Sequence, residues 1–81
     1  MFYIYVLRSS KNNKRYVGST SKSPEKRTSE HNNGINSFTR HNKPWNLIYQ
    51  ESFTTKSEAL KRENFLKSGQ GRKWLDENIR E

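Results

Sequence analysis

Arg27 and His31 stand four residues apart in a segment that opens Ser23-Pro24-Glu25 and closes at Gly34, so both side chains leave one face of a short helix. A guanidinium offers a planar fork to two oxygens, and an imidazole adds a further donor, which suits the pair to a phosphate. A merely solvated Arg and His would show the same spacing. Glu63 is the second placement of chemical interest. At about 100° per residue it falls among Ala59, Leu60 and Leu66, on the apolar side of a later helix. A carboxylate there is costly unless it is paired or holds a cation. Lys67, one turn on, offers the pair, and a bound metal offers the other solution. Neither a Gly-rich phosphate loop nor a Ser/His/Asp constellation is present, and two His without Cys give no zinc signature.

These residues need elements to hold them. Phe2/Ile4/Val6 alternate with Tyr3/Tyr5/Leu7, apolar or aromatic throughout, which predicts a strand covered on both faces and central in its sheet. The polar stretch Ser9–Lys14 turns the chain into a second strand, Arg15-Tyr16-Val17-Gly18-Ser19. A third strand is expected at Asn46–Phe53 behind Pro44, with Leu47, Tyr49 and Phe53 sharing one face with Glu51. Three helices complete the reading. The first has Ser23 as N-cap and Pro24 at its first position. In the second, Thr55 and Glu58 make a capping box, Ala59, Leu60 and Leu66 make a stripe, and Gly69 ends it. After Gln70-Gly71, a short last helix carries Trp74, Leu75 and Ile79.

Composition sets the scale. The 81 residues carry 16 Lys and Arg against 8 Asp and Glu, a net charge of +8. Leu, Ile, Val and Phe together fall below the one-fifth level at which high charge signals disorder, but aromatic residues reach 12% and can build a small core. One domain spanning 1–81 is expected, because a chain this short leaves no room for a second core. Zero Cys and the lack of an apolar run of membrane-spanning length fit a soluble cytoplasmic protein with no membrane partner. Residues 8–43 hold nine bases and two acids, whereas the remainder is nearly neutral, so a polyanion is expected to meet the first half. Lys14, Arg15, Lys22, Lys26, Arg40, Lys43 and, from the second half, Lys67 are the candidate nucleic-acid contacts. Asp76 and Glu77 in the last helix argue against reading Ser68–Gly71 and its flanks as a helix-turn-helix.

Tyr3-Ile4-Tyr5, Tyr16-Val17-Gly18, Arg27, His31 and Glu63, in this order over nearly the whole chain, resemble the GIY-YIG nuclease superfamily, and its small stand-alone bacterial members above all. Thr39-Arg40, Pro44-Trp45 and Ser57-Glu58-Ala59-Leu60 look like that group as well. The first motif has Tyr3 where the family name has Gly, and Pro24 and Thr28 stand where aliphatic residues are usual. What the resemblance implies is a metal-dependent endonuclease acting on DNA, with a role in repair or recombination. Tyr16 would activate the attacking water, with Tyr5 supporting it across the hairpin. Arg27 would hold the scissile phosphate, His31 would assist at the phosphate or in proton transfer, and Glu63 would bind one Mg²⁺ or Mn²⁺. One carboxylate can suffice for such an ion, because Mg²⁺ keeps several waters and takes substrate oxygens. Phenols are mostly protonated at neutral pH, so a tyrosine base asks for a cationic field, which Lys14, Arg15 or the metal would supply.

The expected architecture is therefore α+β, GIY-YIG-like, a small three-stranded, mostly antiparallel sheet flanked by three helices. A protein partner would supply specificity if the chain's own surface does not. A catalytically silent basic nucleic-acid-binding module is the alternative, using charge and exposed aromatics. An RNA-binding protein of ribosomal size would account for neither Glu63 nor the paired tyrosines.

Overall fold

The computed structural model describes residues 1–79; residues 80 and 81 of the expected domain lie outside the described residues. The hairpin forms as its pattern predicts: β1 (Phe2–Ser9) and β2 (Arg15–Thr20) run antiparallel, with Tyr5 opposite Gly18 and Leu7 opposite Tyr16. Asn13 closes the turn at a left-handed φ of 64°, which Asn tolerates better than most residues. β3 (Trp45–Phe53) pairs antiparallel with the other side of β1, giving the order β2-β1-β3. β1 is thus central, and Ile4, Tyr5, Val6 and Leu7 are all buried, as two covered faces require. β2 is an edge strand.

The two faces of the sheet build two separate clusters. Ile4, Val6 and Val17 pack with Ala59, Leu66 and Leu75 from the C-terminal helices, and Tyr5 and Leu7 pack with Trp45, Tyr16 and Leu47 on the opposite side. One expectation about β3 changes here. The register shifts between Val6 and Leu7, which face Tyr49 and Leu47, so Ile48 is an extra residue in β3. A bulge of this kind reverses the alternation. Leu47 therefore joins the Tyr5 cluster, whereas Tyr49 and Phe53 face the C-terminal helices together with Glu51, whose carboxylate accepts the Tyr49 hydroxyl.

Among the described residues four helices flank the sheet, one more than the pattern predicted. α1 (Pro24–Asn32) is capped by Ser23 Oγ, which accepts Lys26 N at 3.2 Å, and it ends at Asn33, one residue before Gly34. Inside it, Pro24 is buried and Thr28 donates its hydroxyl to the Pro24 carbonyl, so the two unusual residues are joined across one turn. α2 (Ser37–His41) is the unexpected element, five residues capped by the Asn36 carboxamide. It has no apolar period to announce it, and bonds from residues just beyond its end hold it: Trp45 Nε1 donates to Thr39 O at 2.9 Å, and Asn42 Nδ2 to Phe38 O at 2.7 Å.

α3 (Lys56–Lys67) starts at the expected Thr55 cap, but its stripe is Ala59 and Leu66 with Arg62 and Glu63 between them. Leu60, expected in the stripe, is 40% exposed, because the line through Ala59 and Leu66 leaves it a full 100° aside. Gly69 does not separate two helices. Ser68 alone closes α3 and caps α4 (Gly69–Asn78), its backbone N–H bonding Phe65 O while its Oγ accepts Gly71 N. The two helices consequently meet at close quarters. A Cβ at Gly71 would lie 1.9 Å from Phe65 O and 2.4 Å from Leu66 Cα, whereas one at Gly69 meets nothing within 4 Å.

Gly71→Ala is expected to destabilise the fold by about 3 kcal/mol through overpacking against backbone that cannot yield. Gly69→Ala should change stability by no more than about 0.5 kcal/mol. Urea denaturation followed by far-UV circular dichroism checks the contrast; equal midpoints for the two variants would contradict the close α3–α4 crossing.

Candidate active site

Gly18 determines how the hairpin's tyrosines sit. Opposite it in β1, the Tyr5 ring lies over the glycine so closely that a Cβ would be 2.6 Å from Tyr5 Oη and 3.1 Å from Tyr16 Cε1. Tyr5 is 1% exposed, and its ring stands 6.3 Å from that of Tyr16. Beneath both lies His31, fully enclosed, with Nε2 2.9 Å from Tyr5 Oη and its ring 4.6 Å from that of Tyr16. Nδ1 has no hydrogen-bond partner among the described residues. A bare buried lone pair costs less than an orphaned N–H, which favours the tautomer that carries its proton on Nε2 and donates it to Tyr5.

Arg27 and His31 thus leave α1 together but do not share an open face. His31 turns inward to Tyr5, and Arg27 remains at the rim, where its guanidinium bonds Glu30 at 2.5 Å. Glu30 also takes Lys22 Nζ at 2.9 Å, and Lys22 and then Arg27 hold its carboxyl below the usual range. Burial raises the Tyr5 phenol, with the nearby Arg27 charge opposing and Tyr16 and Glu63 adding to the rise, so Tyr5 is protonated at neutral pH. Burial, and then the Arg27 charge, lowers His31, with Glu30 opposing. The imidazole is neutral in the interior.

Glu63 projects from α3 with only 14% of its side chain exposed, bonded to Lys67 Nζ at 2.6 Å. The ion pair forms, and its position near Tyr5 keeps a hard oxygen donor within the site's electrostatic reach. Among the described residues no three His, Asp or Glu side chains gather as metal ligands. A cation held here would have Glu63 as its protein ligand and take its remaining oxygens from water and substrate, a donor set that fits Mg²⁺.

The candidate nucleic-acid contacts separate into groups. A cleft of about 650 Å³ at the Tyr16 end of β2 collects Lys14, Arg15 and Lys67 and adds Arg72, which the charge count had assigned to the neutral half. A smaller hollow of about 320 Å³ at the Thr20 end collects Lys22 and Arg27 and adds Lys56. Lys26, Arg40 and Lys43 are exposed but line neither. Arg15 is tied to Asp76 at 2.8 Å, which gives the acidic face of α4 a structural use. Arg72, Lys56 and the half-exposed Phe38 are the contributors that sequence reasoning missed, since only the packing of α2, α3 and α4 brings them to β2. Asn78, a counterpart of the family's late Asn by resemblance, bonds within α4 to Trp74 O.

A family model described as the GIY-YIG catalytic domain matches residues 1–75. Among curated proteins, a UPF0213 protein of Staphylococcus saprophyticus is 46% identical over 82% of this chain and 79% of its own length. UPF0213 proteins of Clostridium perfringens and Staphylococcus aureus are 41% and 37% identical, over 83% and 82% of this chain and 71% and 79% of their own lengths. No solved structure matches. Among the described residues no helix is long and apolar enough to cross a membrane.

The buried neutral His31 sets a pH dependence with a defined sign. Its folded pKa lies below the ordinary 6.5, so the unfolded chain takes up the proton first, and stability present above pH 6.5 is lost as pH falls through and below that value. Glu30 acts only lower, below about 4.5. Urea midpoints should therefore drop between about pH 7.5 and 5.5, and His31→Gln should flatten that slope. A wild-type midpoint constant across the interval would contradict an enclosed neutral imidazole.

Proposed function

The chain belongs to the GIY-YIG catalytic domain family, a family of nucleases, and from that membership we propose that it is a divalent-metal-dependent endonuclease that hydrolyses phosphodiester bonds in DNA, with a role in repair or recombination. One arrangement carries this reading: the buried Tyr5 packs over Gly18 beside the half-buried Tyr16, Arg27 interacts with Tyr5 from the rim, and a basic hollow lies at each end of β2. A phosphodiester lying along β2 would meet the half-buried Tyr16 and the rim guanidinium of Arg27.

Hydrolysis needs a nucleophile, neutralisation of the phosphoryl oxygens and a proton for the leaving oxygen. Tyr16 orients the attacking water and takes its proton, in a field that Lys14, Arg15, Lys67 and Arg72 make positive. Arg27, fixed from one side by Glu30, holds the non-bridging oxygens. Tyr5, protonated and accepting from His31 Nε2–H, packs beside Tyr16 and fixes its position. His31 acts through Tyr5 and does not touch the phosphate. Glu63 would hold the metal, which when bound would supply charge neutralisation at the phosphate and the leaving oxygen. Water adds to phosphorus as its proton passes by way of the Tyr16 oxygen to solvent, the phosphorus–oxygen ester bond breaks, and the departing alkoxide takes a proton from solvent water and leaves as the hydroxyl.

The Glu63–Lys67 pair also favours a second reading, a catalytically silent binding module in which the carboxylate is only a counter-ion. Incubation with single-stranded, duplex and branched DNA, with Mg²⁺ or with a chelator, separates the two. The nuclease reading expects cleavage that requires the metal and falls by about 100-fold or more in both Arg27→Ala and Glu63→Ala. Cleavage unchanged in both variants would overturn these roles. No product on any substrate, with binding intact in Glu63→Ala, would establish the silent module.

A further inference from the structure

Phe38 is a large apolar side chain left 42% exposed in a protein that has few to spare. It ends a series of rings. From the enclosed His31 the contacts run outward to Tyr16 and then to Phe38, which lies at 29° to the Tyr16 ring with centroids 6.2 Å apart and is braced by Trp45 at 5.8 Å. α2, which carries Phe38, is capped by Asn36 and bonded to Trp45 and Asn42, so the ring is presented on a fixed support. Phe38 and Tyr16 together line the 650 Å³ cleft with Lys14, Arg15, Lys67 and Arg72, and no carboxylate lines it.

The cleft thus combines an aromatic platform with an unbalanced positive rim. Arg15 and Lys67 are already balanced by Asp76 and Glu63, whereas Lys14 and Arg72 have no ion pair among the described residues. The hollow at the other end of β2 differs in kind: Ser19, Thr20, Ser21, Lys22 and Lys56 offer hydroxyl and ammonium groups but no stacking ring beyond Phe2 at its border. A strand laid along β2 would meet phosphate-binding groups at both ends and a place for a base at only one. Hydrogen bonding and charge suffice for a backbone; an exposed ring at the mouth of a basic cleft matches the flat face of a base.

Resting on the nucleic-acid reading above, we infer that this cleft is a nucleotide subsite on one side of the cut, taking an unpaired base on the open face of Phe38 and its flanking phosphates on Lys14 and Arg72. Because every base has a π-face, the subsite selects for an unstacked nucleotide and not for a sequence. Substrates are accordingly bound asymmetrically about the scissile bond.

The test is binding in the presence of a chelator, so that cleavage plays no part. Fluorescence anisotropy of labelled oligothymidylate is compared with an abasic sugar-phosphate oligomer of equal length and charge, using the wild-type protein. The subsite predicts about tenfold weaker binding of the abasic oligomer; equal affinities would overturn it without any variant having to fold. Phe38→Ala should lose a similar factor on oligothymidylate and nothing on the abasic oligomer, and Phe38→Trp should restore binding. Arg72→Gln should weaken both ligands alike and lower the salt slope by about one. If wild-type protein binds neither ligand, the nucleic-acid reading itself fails; if it binds both equally, only the Phe38 subsite fails.

Discussion

The contact between the Tyr5 phenol and His31, made possible because Gly18 has no side chain, organises both the core and the site. Tyr5 sits in the central strand, and its ring passes over the neighbouring strand at the one position where a Cβ would collide with it. The imidazole it meets is enclosed on α1, so the same hydrogen bond fastens that helix to the sheet and fixes the face from which Arg27 emerges. Polar groups buried in this way must be paired, and the cost of leaving either alone makes the arrangement specific. With so few aliphatic residues, the chain uses its tyrosines both as core and as the floor of its candidate active site.

The edge strand explains why the site lies where it does. β1 is enclosed between its partners and between two apolar clusters, so it offers no surface, and β3 lies on the far side of it. β2, one of the sheet's two edge strands, combines pairing that fixes its residues with basic hollows at both of its ends. Unprotected strand edges invite adventitious pairing, and positive side chains are a common safeguard. Here Lys14, Arg15, Lys22 and Lys56 surround the edge, and the same charges match a phosphate backbone.

Local signals in the sequence reported local structure well. Both hairpin strands, the Ser23 and Thr55 caps and the central position of β1 follow from alternation and from residues that satisfy backbone groups within one turn. Identities with chemical meaning were equally visible: Glu63 on the sheet-facing side of its helix, Arg27 on its capped one, and the tyrosines flanking a glycine. Less legible were features created by one residue acting at a distance. The extra Ile48 moved Leu47 and Tyr49 to opposite faces, and Ser68, by closing one helix and opening the next, turned an expected Gly69 boundary into a helical turn.

The sequence by itself therefore determined the three strands, the helices now labelled α1, α3 and α4, their order and the pairing partners in the hairpin, because each depends on periodicity or capping within a few residues. Only the tertiary structure decided that His31 turns inward while Arg27 stays at the rim, that α2 exists and presents Phe38, and that Lys67 and Arg72 join Lys14 and Arg15 in one cleft. The physical reason is range: burial, convergence of charge and the packing of Phe38 on Tyr16 depend on atoms brought together by folding from distant parts of the chain, and no local pattern encodes which of them will meet.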